Sequence, residues 1–544
     1  MINFDSLTLK LFAQENIEFF KGAKIQKIQQ PSRNELVFFV RSKNETKKFY
    51  INFSPNLYHL CFMSYENEQK RNLVIPKNAL MFCMLLRKYI LNAKIINISV
   101  PKYERIFEIY FEYYDELNEK SMLCLAIELM GKHSNVILYN YDTNVIIGCA
   151  HNVSSEKSRE RELYGSLPYI YPPKQKKKNL LNVTLDSFIK NISPEKPFNS
   201  ICSSYYYLTN PVVEELAGKI FPFSYEFLYD SLRTFLSSES FSYCITIDYL
   251  KYFLFDIDNS HKYKTVNEMI DNYFSFHQHK IILENLRLKI VKYISSKLDK
   301  LYILEEKQKT QINKIEKAQE YKNKADILMA NLYLLNNKSD KAYLKDFEGK
   351  DIEIELSKNL TALENANKYY SLYKKIKSAY EHCLQMIEQT HSQIMYFEEQ
   401  KFYAQNSDNI INLKDIYSDL TGDISSNTNE NNLKIDFIEY SGVKIYIGKN
   451  RKQNDYILSK ISSPEDLWFH TLNAPGAHVL IKKNSTKQEI SDDILLKAAE
   501  ITKEYSSQKL NSKTSVIYTK RKFVKKANNK IAFVTYKNET EIVV

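Results

Sequence analysis

Between about residues 279 and 422 the chain carries one periodic pattern for longer than a single compact core can use. Val291, Ile294, Leu298, Leu301, Ile312 and Ile315 fall on one alternating three-and-four series, interrupted by polar Glu305, Gln308, Gln319 and Lys322. A second charged helical stretch covers 365–405, and the insert between the two, 343–356, alternates like a small hairpin. Two such helices meet most economically as an antiparallel coiled coil with a decorated tip. A helical bundle lying on neighbouring domains is the alternative. Either way the rest of the chain must fold on both sides of this segment, which predicts a multidomain α+β protein.

The N-terminal part, 1–175, reads as strands interrupted by two helices. Asp5-Ser6 is a cap signal for a helix over 7–20, and a stripe of Leu80, Met81, Met84, Leu85 and Tyr89 predicts a second over 78–91. Strand patterns occupy 24–29, 35–40, 49–53, 95–99, 106–113, 121–127, 136–139 and 145–150. In the fifth, Phe107, Ile109, Phe111 and Tyr113 alternate with Glu108, Tyr110 and Glu112, the period of a half-buried strand in antiparallel sheet. Tyr171-Pro172-Pro173-Lys174-Gln175-Lys176-Lys177-Lys178 follows as an extended basic linker. Residues 176–278 read as a small helical domain, with Asn210-Pro211 capping a helix over 212–217. After the arm, 423–433 is a polar linker around Ser425-Ser426-Asn427.

The last module, 434–544, holds 20 Lys and Arg against 12 Asp and Glu, most of the chain's net +11. That balance suits a polyanion such as RNA, and charge alone reads equally as a solubilising surface. The module contains the single tryptophan, in Ser463-Pro464-Glu465-Asp466-Leu467-Trp468-Phe469-His470, followed by Ala474-Pro475-Gly476-Ala477-His478-Val479. Two strands flank Pro475-Gly476, which is the sequence of a type II turn with glycine supplying positive φ. A simple hairpin about that turn sends His470 and His478 to opposite faces, and leaves Trp468 and His470 as a same-face platform. Trp468 reads equally as core.

Several chemistries are excluded. The seven cysteines, at 61, 83, 124, 149, 202, 244 and 383, stand singly without C-x-x-C or a histidine at ligand spacing, the usage of a reducing cytosol without structural zinc. No signal peptide, membrane span or phosphate-cradling glycine loop is present, so the expectation is a soluble cytoplasmic protein, no enzyme, with no metal, no cofactor and no catalytic residue of its own.

Four local motifs in order resemble the NFACT family of ribosome quality-control proteins. Phe4-Asp5, Lys27-Ile28-Gln29-Gln30-Pro31 and the run from Met81 to Lys88 are similar to the family's opening. Glu128-Leu129-Met130-Gly131-Lys132-His133-Ser134-Asn135 is similar to its E-[IL]-M-G-[RK]-H-S-N signature. Leu363-Glu364-Asn365-Ala366 with Tyr369, Tyr370 and the run from Tyr373 to Lys377 resembles its return helix. Ile447-Gly448-Lys449-Asn450 and Lys452-Gln453-Asn454-Asp455 join the Trp468 segment in resembling its last domain. The resemblance implies an NFACT-N domain, a helix-hairpin-helix-like domain, a coiled-coil arm and an NFACT-R domain. It implies work on a split 50S subunit that carries stalled peptidyl-tRNA, where aminoacyl-tRNA, alanyl-tRNA in bacteria, is recruited for mRNA-independent tailing of the nascent chain. Bond formation would belong to the ribosome, and a small S4-domain RNA-binding protein is an expected helper.

Carried onto this chain, the resemblance implies tRNA binding and tailing at Asp5, Glu104, Arg105, Glu128, Lys132, His133, Ser134 and Asn135. It implies RNA binding at Lys449, Asn450, Arg451, Lys452, Trp468, His470, His478, Lys482, Lys483 and Arg521, with Lys520, Lys522, Lys525 and Lys526 beside them. The family's Asp-Arg pair is replaced here by Glu104-Arg105, which moves the carboxylate by one methylene. Glu104 and Arg105 are expected near Glu128 and residues 132–135, on a surface open to RNA. Three other readings compete: a 50S and tRNA binder that makes no tail, a surface fibronectin-binding adhesin, which needs a secretion signal, and a DNA glycosylase-like protein, which needs an N-terminal Pro-Glu where this chain begins Met1-Ile2-Asn3.

Overall fold

The computed structural model describes the chain apart from residues 1–3, 115–118, 157, 221, 314–315, 336–338, 423–434, 473, 486–487 and 527–533. The expected linker over 423–433, Lys434 and Ile315 therefore lie outside the described residues. Two compact units are present, Met1–Ile281 and Ile282–Val544.

In the first unit, helix α1 (Ser6–Phe20) starts where the sequence says, because the Asp5 carboxylate accepts the Thr8 amide at 2.8 Å. Its buried Phe12 and Phe20 meet Phe49, Phe62 and Phe107 at ring separations of 5.2–6.1 Å. These rings belong to a nine-stranded antiparallel sheet of β1 (Lys24–Ser32), β2 (Glu35–Ser42), β3 (Glu45–Asn52), β4 (His59–Met63), β5 (Lys94–Ser99), β6 (Ile106–Tyr114), β7 (Lys120–Glu128), β8 (Asn135–Asn140) and β9 (Val145–Cys149), in the order β4-β3-β2-β1-β5-β6-β7-β8-β9. Strand β4 and helix α2 (Tyr65–Arg71) have no counterpart in the sequence reading, and helix α3 (Met81–Ile90) is shorter than the expected 78–91 and buries Phe82, Cys83, Leu86 and Ile90, leaving Met81 and Met84 of the stripe exposed. Strands β1 and β5 share one registered pair, Lys24 with Lys94, and α3 seats there by giving Arg87 to the Ile28 carbonyl at 2.7 Å.

Strand β6 is not half-exposed as its alternation predicts. Phe107, Ile109 and Phe111 are buried on one face, but Glu108 is buried on the other, its carboxylate accepting the hydroxyls of Tyr110 and Tyr171. The chain returning through Leu163, Tyr169 and Tyr171 covers that second face against Ile106, Cys124, Ala126, Ile137 and Tyr139.

Helices α4 (Leu185–Lys190), α5 (Pro197–Ser204), α6 (Asn210–Gly218) and α7 (Tyr225–Ser237) follow, with a small sheet of β10 (Tyr243–Thr246), β11 (Tyr252–Phe253) and β12 (Ser260–Tyr263) that the sequence reading missed. Thr209, not Asn210, is the N-cap of α6, and it makes no side-chain cap bond. The apolar residues of this part share one continuous core with α1 and the sheet, from Phe4 to Phe274. Helix α8 (Val266–Asn313) is fastened by Asp271, which pairs with the buried Arg71 guanidinium at 2.6 Å.

In the second unit the rest of α8 runs antiparallel to α10 (Ala362–Asn406). Tyr302 bonds Glu398 at 2.6 Å, His391 meets Glu305 at 3.3 Å, and Leu283, Ile290, Ile294 and Leu298 share a core with Ile394 and Tyr403. Helix α9 (Glu316–Ala330) also lies along α10. The expected hairpin is present as β13 (Lys341–Lys345) and β14 (Asp351–Glu355), turned by Gly349 at φ +86°. Helix α10 opens on a capping box between Thr361 and Glu364, and α11 (Ile410–Thr421) packs beside it.

The remainder is a six-stranded antiparallel sheet, β15 (Asp436–Tyr440), β16 (Val443–Gly448), β17 (Leu467–Thr471), β18 (His478–Lys482), β19 (Ser515–Lys520) and, after the two-residue strands β20 (Lys525–Lys526) and β21 (Val534–Thr535), β22 (Thr540–Val543), in the order β15-β16-β18-β17-β19-β22. Its apolar residues fall into two clusters. Ile494, Ala498 and Ile501 of helix α13 (Asp492–Glu504) join Ile445, Phe469 and Val479, while Ile457 and Leu458, just after helix α12 (Arg451–Tyr456), join Trp468, Leu480 and Ile517.

Candidate nucleic-acid interface

The first unit contains a cavity of about 290 Å3 whose walls bring distant segments together. Asp5 and Ser6 come from the start of α1, Thr209 and Asn210 from the start of α6, Arg105 from the turn before β6, and Gln175 and Lys177 from the basic segment. That segment is docked rather than free, since Lys178 donates its amide to Ser204 at 2.8 Å and the Tyr206 hydroxyl donates to the Gln175 carbonyl at 2.7 Å. Two helix N-termini thus border one cavity, each with a partial positive charge.

The side chains add to it. Arg105 reaches the Tyr58 hydroxyl at 3.0 Å and lies over that ring, and neither Arg105 nor Lys177 has an acidic partner within 4.0 Å among the described residues. Burial lowers the Lys177 ammonium below its ordinary pKa, the Cys202 thiol opposes that, and the Arg105 charge adds to it. Asp5 adds one carboxylate to the lining, its oxygens accepting the Thr8 amide, the Thr8 hydroxyl and, at 3.0 Å, the Tyr252 hydroxyl. The lining thus combines two cations, one carboxylate and two helix N-termini.

Glu104 does not line it. Its carboxyl is raised by burial and drawn back by Arg105, by a hydrogen bond from Gln175 and by Lys174, so Glu104 holds the segment that supplies Gln175 and Lys177. Tyr103 beside it adopts φ +70° and stacks on Tyr206 at 4.0 Å, fixing this turn against the helical part.

The signature segment is close in backbone and different in role. The Leu129 amide donates to the Arg105 carbonyl at 2.8 Å, so the two motifs are sheet neighbours. Glu128, however, is fully buried: Arg161 donates to it at 2.8 Å and Tyr169 at 2.9 Å. The expectation that Glu128 lies open to RNA is corrected, since a carboxylate at that depth needs an internal cation. Ser134 and Asn135 are buried as well. The Ser134 hydroxyl accepts the Met130 amide, and the Asn135 side chain clamps His151 through its amide at 3.0 Å and its carbonyl at 2.8 Å. Lys132 and His133 alone are exposed, on the turn that opens with Gly131 at φ +64°.

In the C-terminal module the strands register as Trp468 with Leu480 and Phe469 with Val479, a register that puts His470 opposite His478. The opposite-face expectation is therefore wrong, and so is the turn. Gly476 is not at positive φ; it is glycine because a Cβ would meet Thr471 Oγ1 at 2.8 Å and Ser506 Cβ at 3.0 Å. The loop pairs with residues after α13 instead of closing tightly, with the Ala477 amide on the Tyr505 carbonyl and the Ser507 amide on the Pro475 carbonyl. Both imidazoles pack on Trp468, at 5.7 Å for His470 and 5.2 Å for His478. Trp468 is fully buried and His478 nearly so, which makes this an internal aromatic cluster and not a platform for bases.

The basic residues of the module are largely engaged within the unit. Lys449 pairs with Asp436 at 2.6 Å, Arg451 with Glu399 at 3.2 Å, Lys452 with Asp415 at 2.9 Å and Lys482 with Asp466 at 3.1 Å. Lys520 and Lys522 share Glu465, and Lys526 pairs with Asp455. Arg521 donates to the carbonyls of Leu458 and Val524, and Asn450 is the buried N-cap of α12. The Lys483 amide anchors on Asp466. Tyr403 completes the junction, donating to the Gly476 carbonyl at 2.8 Å while Asn454 donates to its hydroxyl. Sequence reasoning missed Tyr403 and Glu399 because each is one polar position in the long charged helix α10, and Asp415 because it is one acid in the short helix α11, with no motif around any of them.

Among the described residues no group of three or more His, Cys, Asp and Glu could hold a metal ion, and no helix is long and apolar enough to cross a membrane. A protein called Rqc2 homolog RqcH from Bacillus subtilis is 26% identical over 585 aligned residues, covering 100% of this chain and 98% of its own. The Streptococcus pneumoniae protein of the same name is 25% identical and covers 98% and 96%. The N-terminal part of a fibronectin/fibrinogen-binding protein from Streptococcus suis aligns with 50% of this chain and 100% of its own at 25% identity, with a TM-score of 0.42 that carries no weight for fold or ligand. The NFACT protein RNA binding domain matches residues 435–535, and the NFACT N-terminal and middle domains match residues 5–435. The chain belongs to the NFACT family.

Proposed function

We propose that this protein is a cytoplasmic ribosome quality-control factor that binds a split 50S subunit carrying stalled peptidyl-tRNA and recruits aminoacyl-tRNA, alanyl-tRNA first among them, for tailing of the nascent chain without mRNA. The observation that carries the reading is the cavity where Arg105, Lys177 and the N-termini of α1 and α6 converge. Among the described residues its two cations have no acidic partner within 4.0 Å, so a nucleotide phosphate of tRNA is their natural complement.

The chemistry of peptide transfer is left to the ribosome. The protein's own residues bind and orient: Arg105 and Lys177 take the anion, Tyr58 holds the guanidinium in place, and Glu104 holds the segment that carries Gln175 and Lys177. The antiparallel helices are the arm that rests on the subunit, and an S4-type RNA-binding protein assists. Arg105→Ala with Lys177→Ala is expected to lower tRNA affinity by about 100-fold, two charge-assisted contacts of ~1.5 kcal/mol each, while 50S sedimentation persists. Unchanged tRNA binding by this double variant, measured by filter retention, would remove the cavity from the mechanism.

A further inference from the structure

Outside the cavity, one surface of the N-terminal sheet combines features that its own neighbours do not balance. The outer face of β1–β4 is closed at one end, where Tyr50 and Cys61 are buried beneath Arg71, Asp271 and Gln278. At the other end it is open. There the cross-strand register places Lys94 opposite Lys24 and Lys24 opposite Arg41, three exposed cations in one row. Like charges directly opposed across strands destabilise a sheet, and here two such pairs are consecutive.

A bulge aligns the next row with this one. The register of β1 and β2 slips between Ile25 and Lys27, so that Gln26 is the extra residue and Lys27 faces the same side as Lys24, opposite Phe39. Without the slip Lys27 would point into the core. Phe39, half-buried, lies opposite Lys48 on its other side, and the ammonium groups of Lys27 and Lys48 stand 5.2 and 5.4 Å from its ring. Lys48 is neutralised by Glu68 at 2.6 Å, and Lys94 faces Glu112, which Lys120 also engages. Lys24, Lys27 and Arg41 have no acidic partner within 4.0 Å among the described residues, in contrast to the cations of the C-terminal module.

We propose that this open half-face is a second RNA surface, separate from the cavity and from residues 435–535, in which Lys24, Lys27 and Arg41 contact backbone phosphates and Phe39 offers its ring to a base. Cations around an aromatic on a sheet face are the combination that reads single-stranded or looped RNA. The proposal does not depend on the tRNA reading of the cavity.

The test uses the full chain and a short fluorescein-labelled RNA of mixed sequence, with affinity measured by anisotropy between 50 and 200 mM KCl. Each lost phosphate contact lowers the slope of log affinity against log salt by about 0.7–0.9. The triple variant K24Q/K27Q/R41Q is therefore expected to lose about two units of slope, so that its disadvantage against wild type shrinks about 16-fold across that salt range. Phe39→Ala is expected to lose affinity severalfold with the slope unchanged. Arg105→Ala does not touch this surface and is expected to leave the triple variant's slope change in place, which separates the two sites. Crosslinking of 4-thiouridine RNA to the wild-type protein needs no variant, and crosslinked peptides within residues 24–48 are expected. Unchanged slope, or crosslinks confined to residues 435–544, would overturn the proposal. So would a triple variant that binds RNA normally but leaves the 50S particle, which would mean an acidic protein is the partner.

Discussion

Arg161→Met is the substitution that best separates structure from recognition in the first unit. Glu128 is fully buried and receives donors from Arg161 and Tyr169. Removing the guanidinium leaves a buried carboxylate with one neutral donor, and breaking a buried pair from one side costs about 3–5 kcal/mol. At about 1.4 kcal/mol per factor of ten, the local opening equilibrium of this layer should rise by about 100-fold to several thousand-fold. Cys124 reports it directly, since its thiol is buried in the same layer, on the same strand as Glu128. Thiol labelling of the native protein, with the modified peptide quantified by mass spectrometry under conditions where reclosing outpaces labelling, gives a rate proportional to that equilibrium. Replacing both partners by apolar residues, Glu128→Leu with Arg161→Met, removes the unpaired charge and should return labelling close to the wild-type rate. If Arg161→Met left Cys124 labelling unchanged while tRNA binding disappeared, the pair would be part of the RNA site and the structural role given to Glu128 would be wrong.

The single tryptophan makes the C-terminal module separately visible, because Trp468 fluorescence reports only that sheet. Gly476→Ala places a methyl against Thr471 and Ser506 and is expected to cost about 1–3 kcal/mol, seen as a lower urea midpoint; no change would mean the loop gives way freely. Burial holds the His470 imidazole down to about 4 and His478 well below its usual range, with the charges of His470 and Arg451 adding to the latter. The unfolded chain takes up these protons near pH 6.5 and the folded module does not, so stability is complete above pH 6.5 and falls as pH drops from there towards 4; a flat midpoint over that window would contradict the burial of this pair. Glu104→Asp withdraws the carboxylate from Gln175 and is expected to weaken tRNA binding by about one hydrogen bond, ~1 kcal/mol or roughly fivefold, whereas tighter binding in a filter assay would show that the shorter side chain has the better geometry.

Local signals carried much of the fold. The Asp5 cap, the position of strand β6 and the hairpin within the arm depend on neighbours a few residues away, and all three are found where the sequence places them. What stayed hidden depends on distant partners. Glu108 and Glu128 look like solvent-facing charges until Tyr171 and Arg161 arrive from 63 and 33 residues away. The register of His470 and His478 turned on a loop that pairs with residues near Ser506 rather than with itself. Lysines of the C-terminal module read as a binding surface because the acids that engage them, Glu399 and Asp415, lie on helices before the module begins. Of the residues assigned to tRNA, Arg105 and Asp5 do meet at one cavity, but Lys177 and the start of α6 carried no sign of it, since nothing local marks which of four lysines in a basic segment turns inward.

The most direct measurement is sequencing of the RNA that copurifies at low salt with the tagged full-length protein from its own cells, comparing wild type with the Arg105→Ala, Lys177→Ala variant. Binding of tRNA on the large subunit predicts 23S RNA and tRNA with the wild type, and loss of tRNA with retention of 23S RNA in the variant. Wild-type protein recovered without either RNA would contradict it.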